Sequence, residues 1–116
     1  MNPSIDGVYS AYLTGSAGQG LAMLVFKNGT IAGADVGGIK YDGTYRDADS
    51  GYTVSLKISY PPNTLLVQGM RTGPAAETAV LNFHLPSDFL SQSFIRVDAK
   101  HGPVNVKIVK VRELND

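Results

Sequence analysis

The tetrapeptide Lys27-Asn28-Gly29-Thr30 joins two apolar runs, Leu-Ala-Met-Leu-Val-Phe over residues 21–26 and Ile-Ala-Gly-Ala-Asp over residues 31–35. Asn-Gly between apolar runs predicts a two-residue β-hairpin. Both central residues of a type I′ turn take positive φ, and Asn and Gly tolerate it at least cost. The turn sets the register. Lys27 pairs with Thr30, Phe26 opposes Ile31 and Leu24 opposes Gly33, while Val25 opposes Ala32 and Met23 opposes Ala34 on the other face. Both faces are apolar. A strand pair with one wet side should alternate, so one face is expected to line a core and the other to be covered, with a second subunit as the candidate cover.

The remaining punctuation extends this pattern. The 13 glycines and 6 prolines are spread along the chain rather than gathered in a linker. Between them lie short runs rich in Val, Ile, Tyr, Thr and Leu, which predict strands. These fall at about residues 7–14, the two arms of the Asn-Gly hairpin, 39–45, 52–60, 64–70 and 79–85. A Gly-rich loop is expected at 15–20, a long loop at 71–78, and a single helical turn or compact loop at 86–92. A last hairpin over residues 94–112 centres on Gly102-Pro103. It would pair His101 with Val104, Ala99 with Val106 and Val97 with Ile108, and set Asp98 opposite Lys107 as an exposed charge pair. Beyond Ile108 the apolar phase slips to Val109 and Val111, which calls for a β-bulge or for cover on both faces. No segment shows a helical period.

The expected fold is therefore all-β: an antiparallel up-and-down barrel of about eight strands, one domain over residues 1–116. Closure removes the sheet edges that an open sheet would expose. A sandwich is the alternative.

Composition excludes several function classes. Lys+Arg and Asp+Glu are 10 each, so the formal net charge is zero and nothing draws the chain to nucleic acid or an anionic membrane. Zero net charge favours self-association, and a homodimer is expected. The absence of cysteine removes disulfides, thiolate chemistry and Cys-based zinc sites. No apolar stretch reaches membrane-spanning length and no signal-peptide pattern opens the sequence, so a cytoplasmic location is expected.

The chemistry-bearing residues are sparse. Gly15 to Gly20 lacks the G-x-G-x-x-G spacing of a phosphate cradle and precedes no helix. His84 falls on the more polar face of its strand and His101 at a turn. Neither lies in a nucleophile signature such as G-x-S-x-G, and two histidines without cysteine make a metal site unexpected. Arg96, Lys100 and Lys107, with Lys110 and Arg112 nearby, form a basic strip that Asp98 interrupts, and this reads as a solvated strand face. Among the six tyrosines, Tyr9, Tyr41 and Tyr45 are candidates for lining a barrel interior; inward tyrosines either fill a small core or line a ligand cavity. Asp47 and Asp49, in the loop after residue 45, are candidates for contacting a basic partner, against the reading that they are turn residues.

The string Asp6-Gly7-Val8-Tyr9-Ser10, then Gly20 before an apolar strand, Lys27-Asn28-Gly29, Ile31, Gly33-Ala34-Asp35, Tyr41, Gly43 and Tyr45 resembles the GrlR family. That family is named for a negative regulator of type III secretion genes. The resemblance implies a lipocalin-like barrel that is dimeric and acts by binding a transcriptional activator. It also implies that the acidic loop used for partner binding corresponds here to Asp47 and Asp49, beside Arg46.

Three functions follow as expectations, in order. The first is a non-enzymatic interaction module, a homodimer with a regulatory role toward a transcriptional activator. The second is a barrel that binds a small hydrophobic ligand. An enzyme ranks last, since no acid takes a clear inward position. No cofactor is expected.

Overall fold

The computed structural model describes residues 4–114. Eight antiparallel strands form one sheet: β1 (Gly7–Gly15), β2 (Gly18–Lys27), β3 (Thr30–Asp35), β4 (Lys40–Ala48), β5 (Gly51–Tyr60), β6 (Glu77–Pro86), β7 (Ile95–Ala99) and β8 (Gly102–Glu113). Their order is β6-β5-β4-β3-β2-β1-β8-β7. The sheet is a meander that curls into a nearly closed barrel. Among the described residues no ladder joins the edge strands β6 and β7. Glu77 at the start of β6 instead reaches across the seam to Lys100 (2.9 Å) and His101 (3.0 Å) in the β7–β8 turn.

The Asn-Gly hairpin has the register its turn dictates, with Lys27↔Thr30, Phe26↔Ile31, Val25↔Ala32, Leu24↔Gly33 and Met23↔Ala34. Asn28 and Gly29 take φ of 51° and 80°, as a type I′ turn requires. Further along, Gly43 faces inward where a Cβ would collide with the Ser55 carbonyl oxygen. Glycine there lets adjacent strands coil tightly, as a barrel corner demands.

Inward and outward residues alternate along each strand. The inward set includes Tyr9, Ala11, Phe26, Ile31, Tyr52, Val54, Leu56, Ile58, Leu85, Val97 and Ile108, all buried. Of the two alternatives for the phase slip past Ile108, a bulge is present: Val8 pairs with Arg112 but Tyr9 with Lys110, which leaves Val111 as the extra residue.

Three expectations require correction. The Gly15–Gly20 segment is not a six-residue loop; β1 and β2 continue into it and meet at Ser16-Ala17. Residues 64–70 are not a strand but part of a long connection, 61–76, with one isolated bridge between Leu65 and Arg71. Pro61 and Pro62 cannot donate to a ladder, and Asn63 and Gly69 take positive φ. The last hairpin turns at Lys100-His101, pairing Ala99 with Gly102 and Val97 with Val104. A turn centred on Gly102-Pro103 would put proline at the third turn position, where it is disfavoured, whereas the observed turn puts glycine at the favoured fourth. Asp98 therefore faces Pro103, and its ion-pair partner is Arg96 (3.2 Å) rather than Lys107. Residues 86–92 form a compact turn closed by the Phe89 amide on the Pro86 carbonyl (3.0 Å).

Candidate functional site

The two ends of the barrel are built differently. At the end bearing the Asn-Gly turn, five aromatic rings form a closed circuit: Tyr9–Phe26 (5.1 Å between centroids), Phe26–Tyr45 (5.4 Å), Tyr45–Tyr52 (6.2 Å), Tyr52–Phe89 (6.5 Å) and Phe89–Tyr9 (6.0 Å). Four rings come from β1, β2, β4 and β5, and the fifth is delivered by the 86–92 turn. Edge-to-face and tilted pairs of this kind add about 0.5–1.5 kcal/mol each beyond area burial. Their polar ends are satisfied. The Tyr9 hydroxyl donates to the Ile5 carbonyl (2.8 Å) and that of Tyr45 to Asp6 Oδ1 (2.8 Å). Asp6 also accepts the Asn28 amide (3.1 Å), which ties the chain start to the hairpin. The Tyr45 hydrogen bond, with Asn28 and Lys27 assisting against partial burial, holds the Asp6 carboxyl below its ordinary 3.8. Burial pushes the Tyr9 and Tyr45 phenols up to about 12.

Toward the other end the barrel is hollow. A cavity of about 240 Å³ runs beneath the 61–76 connection, walled by Leu24, Ile31, Val54, Leu56, Leu81, Phe83, Val97, Val106 and Ile108, among others. Small inward residues leave this space: Ala11, Gly20, Ala22 and Ala99 also line it. The connection acts as a lid. Leu66 is buried beneath it, the Ala17 amide donates to the Val67 carbonyl (3.0 Å), and the Ser16 hydroxyl donates to the Gln68 carbonyl (2.9 Å). Thr72 braces the lid's base by accepting the Thr64 amide (2.8 Å) and donating to the Pro61 carbonyl (2.7 Å). The volume is just under the ~300 Å³ at which pockets for drug-sized ligands begin, so it suits a smaller occupant.

The sequence candidates are divided by this arrangement. Tyr41 lines the cavity, while Tyr9 and Tyr45 pack in the aromatic circuit at the closed end. Asp47 and Asp49 are exposed on the β4–β5 hairpin, at that closed end. An inward acid does exist, and it was missed: Asp35, in phase with Ile31 and Gly33, lines the cavity mouth. Its Oδ1 accepts the amides of Gly37 (2.8 Å) and Ile39 (3.0 Å), and its Oδ2 lies 3.4 Å from the Tyr41 hydroxyl. Burial and Asp35 together raise the Tyr41 phenol pKa well above its usual value. The inward phase of the Asn-Gly hairpin was the signal that could have found it.

The basic strip is dispersed into local contacts: Arg96 to Asp98, Lys100 to Glu77, Lys107 to the Gln92 carbonyl (2.6 Å) and Lys110 to Glu113. His84 is exposed on β6, and His101 stacks edge-on against Tyr60 (5.3 Å). Among the described residues no three His, Cys, Asp or Glu side chains gather as a metal site, and no helix is long and apolar enough to cross a membrane.

The outer wall carries the other unusual feature. On β8, β1 and β2, outward positions that should be polar are Val109, Val8, Tyr12, Leu21, Met23 and Val25, with Val111 at the bulge. Tyr12 is 50% exposed and Met23 42%. The wall continues onto β3 through Ala32 and Ala34, which pair with Val25 and Met23. Compared with known proteins, the chain matches no family model and no curated protein.

Proposed function

We propose that this protein is a non-enzymatic interaction module of the cytoplasm that works as a homodimer through the outer wall of β8, β1, β2 and β3. The observation that supports the reading is the apolar cluster of Val109, Val8, Tyr12, Leu21, Met23 and Val25, which surrounds the nearly covered Ser10 on the outer wall. A patch of this kind marks an interaction site on a barrel whose outside should be polar. A second copy suits it because the chain has zero net charge and copies do not repel. Tyr and Met are also residue types enriched in interfaces. The resemblance of residues 5–45 to the GrlR family adds a regulatory role, the negative control of a transcriptional activator, with the exposed Asp47 and Asp49 of the β4–β5 hairpin as the contact. Light scattering at micromolar concentration should give a dimer mass. A monomer would defeat the homodimer, and failure to retain any transcriptional regulator would defeat the regulatory role.

A second reading, as a carrier of a small hydrophobic ligand, is favoured by the hollow barrel and its lid. Octan-1-ol added to methyl-labelled protein should shift the resonances of Leu66, Leu81 and Val97. Shifts confined to the outer wall would count against it.

A further inference from the structure

Resting on the second reading, that the cavity holds a small apolar molecule, we infer that its occupant carries a donor-bearing, preferably cationic head, an alkyl amine rather than a fatty acid, seated at Asp35 and Tyr41. The cavity wall is almost wholly hydrocarbon, and among the described residues that line it Asp35 is the single charged side chain. No Lys, Arg or His shares that lining. A carboxylate-headed chain entering this mouth would place two like charges together with no cation among the described lining residues to receive them, which low-dielectric surroundings make costly. An ammonium head meets the opposite situation. The Oδ1 atom of Asp35 is engaged by the Gly37 and Ile39 amides, so the carboxylate is fixed in place. Oδ2 has the Tyr41 hydroxyl at 3.4 Å, a long contact that leaves it able to accept a shorter one. The Tyr41 oxygen keeps its own acceptor capacity beside it. Two acceptors thus converge at the mouth, with the apolar barrel below them for the hydrocarbon tail.

Octylamine, octan-1-ol and octanoate share one tail and differ in the head. At pH 7 the amine is protonated and the acid ionised. Calorimetric titration of the wild-type protein should show the amine binding at least tenfold tighter than octanoate, with the alcohol between them. In Asp35→Asn an oxygen remains to hold the turn, so the gap between amine and octanoate should shrink to within about twofold while the alcohol is unaffected. Should that variant not fold, Tyr41→Phe replaces it, and amine affinity should fall there more than alcohol affinity. Octanoate binding as tightly as the amine to the wild type overturns the head-group assignment and leaves the cavity reading intact. So does an amine preference that survives in the folded Asp35→Asn protein. Failure of all three compounds to bind overturns the cavity reading itself.

Discussion

The barrel has two outer walls made by the same kind of strand, and they do not look alike. Along β4, β5 and β6 the outward residues are Lys40, Asp42, Thr44 and Arg46, then Thr53, Ser55, Lys57 and Ser59, then Thr78, Asn82 and His84, with Val80 the apolar exception. Along β1, β2 and β8 the apolar Val8, Tyr12, Leu21, Met23, Val25 and Val109 cluster around Ser10 in mid-wall, with Thr14, Gln19, Asn105 and Lys107 toward one end and Lys27 and Arg112 toward the other. The inner faces of both walls are apolar and buried. Burial of the inner face accounts for the fold in either case. The outer apolar cluster adds nothing to that burial, and the proposed dimer rests on it.

The contrast can be broken most severely on the polar wall. Val54 is 1% exposed, and its neighbour Ser55 faces outward. Val54→Asp buries an unpaired charge and should cost more than ~4 kcal/mol, enough to abolish the cooperative thermal transition. Ser55→Asp, one residue away, should stay within ~0.5 kcal/mol of wild type in urea melts. Equal effects at the two positions would remove the distinction between inner and outer faces. Next in size is the aromatic circuit: Phe89→Ala should destabilise by about 3–5 kcal/mol, read by chemical denaturation. It should do so without altering association, because the circuit lies inside the barrel.

Buried polar groups give a pH version of the same test. The raised Tyr9 and Tyr45 phenols favour the folded state fully below their ordinary pKa of 10.0, and that contribution is lost as pH rises toward about 12. Absorbance at alkaline pH should therefore show their ionisation together with unfolding, and Tyr45→Phe should move the alkaline transition upward. The lowered Asp6 carboxyl acts in the opposite direction. Its contribution is complete above 3.8 and is lost as pH falls through the lower folded value. Asp6→Asn should flatten the acid limb of the stability profile, the smallest of these effects.

How much was legible depends on how local the cause is. Asn28-Gly29 carries its own turn geometry, so the β2–β3 register could be read pair for pair. The β7–β8 hairpin could not: moving the partner of Val97 from Ile108 to Val104 is an even slip, which leaves every side chain on its expected face, and alternation is blind to it. Only the turn preferences of Gly102 and Pro103 distinguish the two. Residues 64–70 have strand-like composition, but the apolar character of Leu66 serves a lid over the cavity instead of a ladder. The hollow itself depends on summed volumes around the barrel. Ala11, Ala22 and Ala99 are small and inward, yet no single one reveals a void. The place of Asp35 in the cavity lining was hidden because its neighbours in sequence suggest a turn, which it also makes.

The apolar outer wall is the feature from which the functional account grows. Sedimentation velocity of the wild type and of Met23→Lys, across a hundredfold range of micromolar concentration, tests it most directly. The wild type should sediment as a dimer and Met23→Lys as a monomer that keeps its thermal transition, with association weakened at least a hundredfold. A wild type that stays monomeric throughout, or a Met23→Lys protein that dimerises as the wild type does, would contradict it.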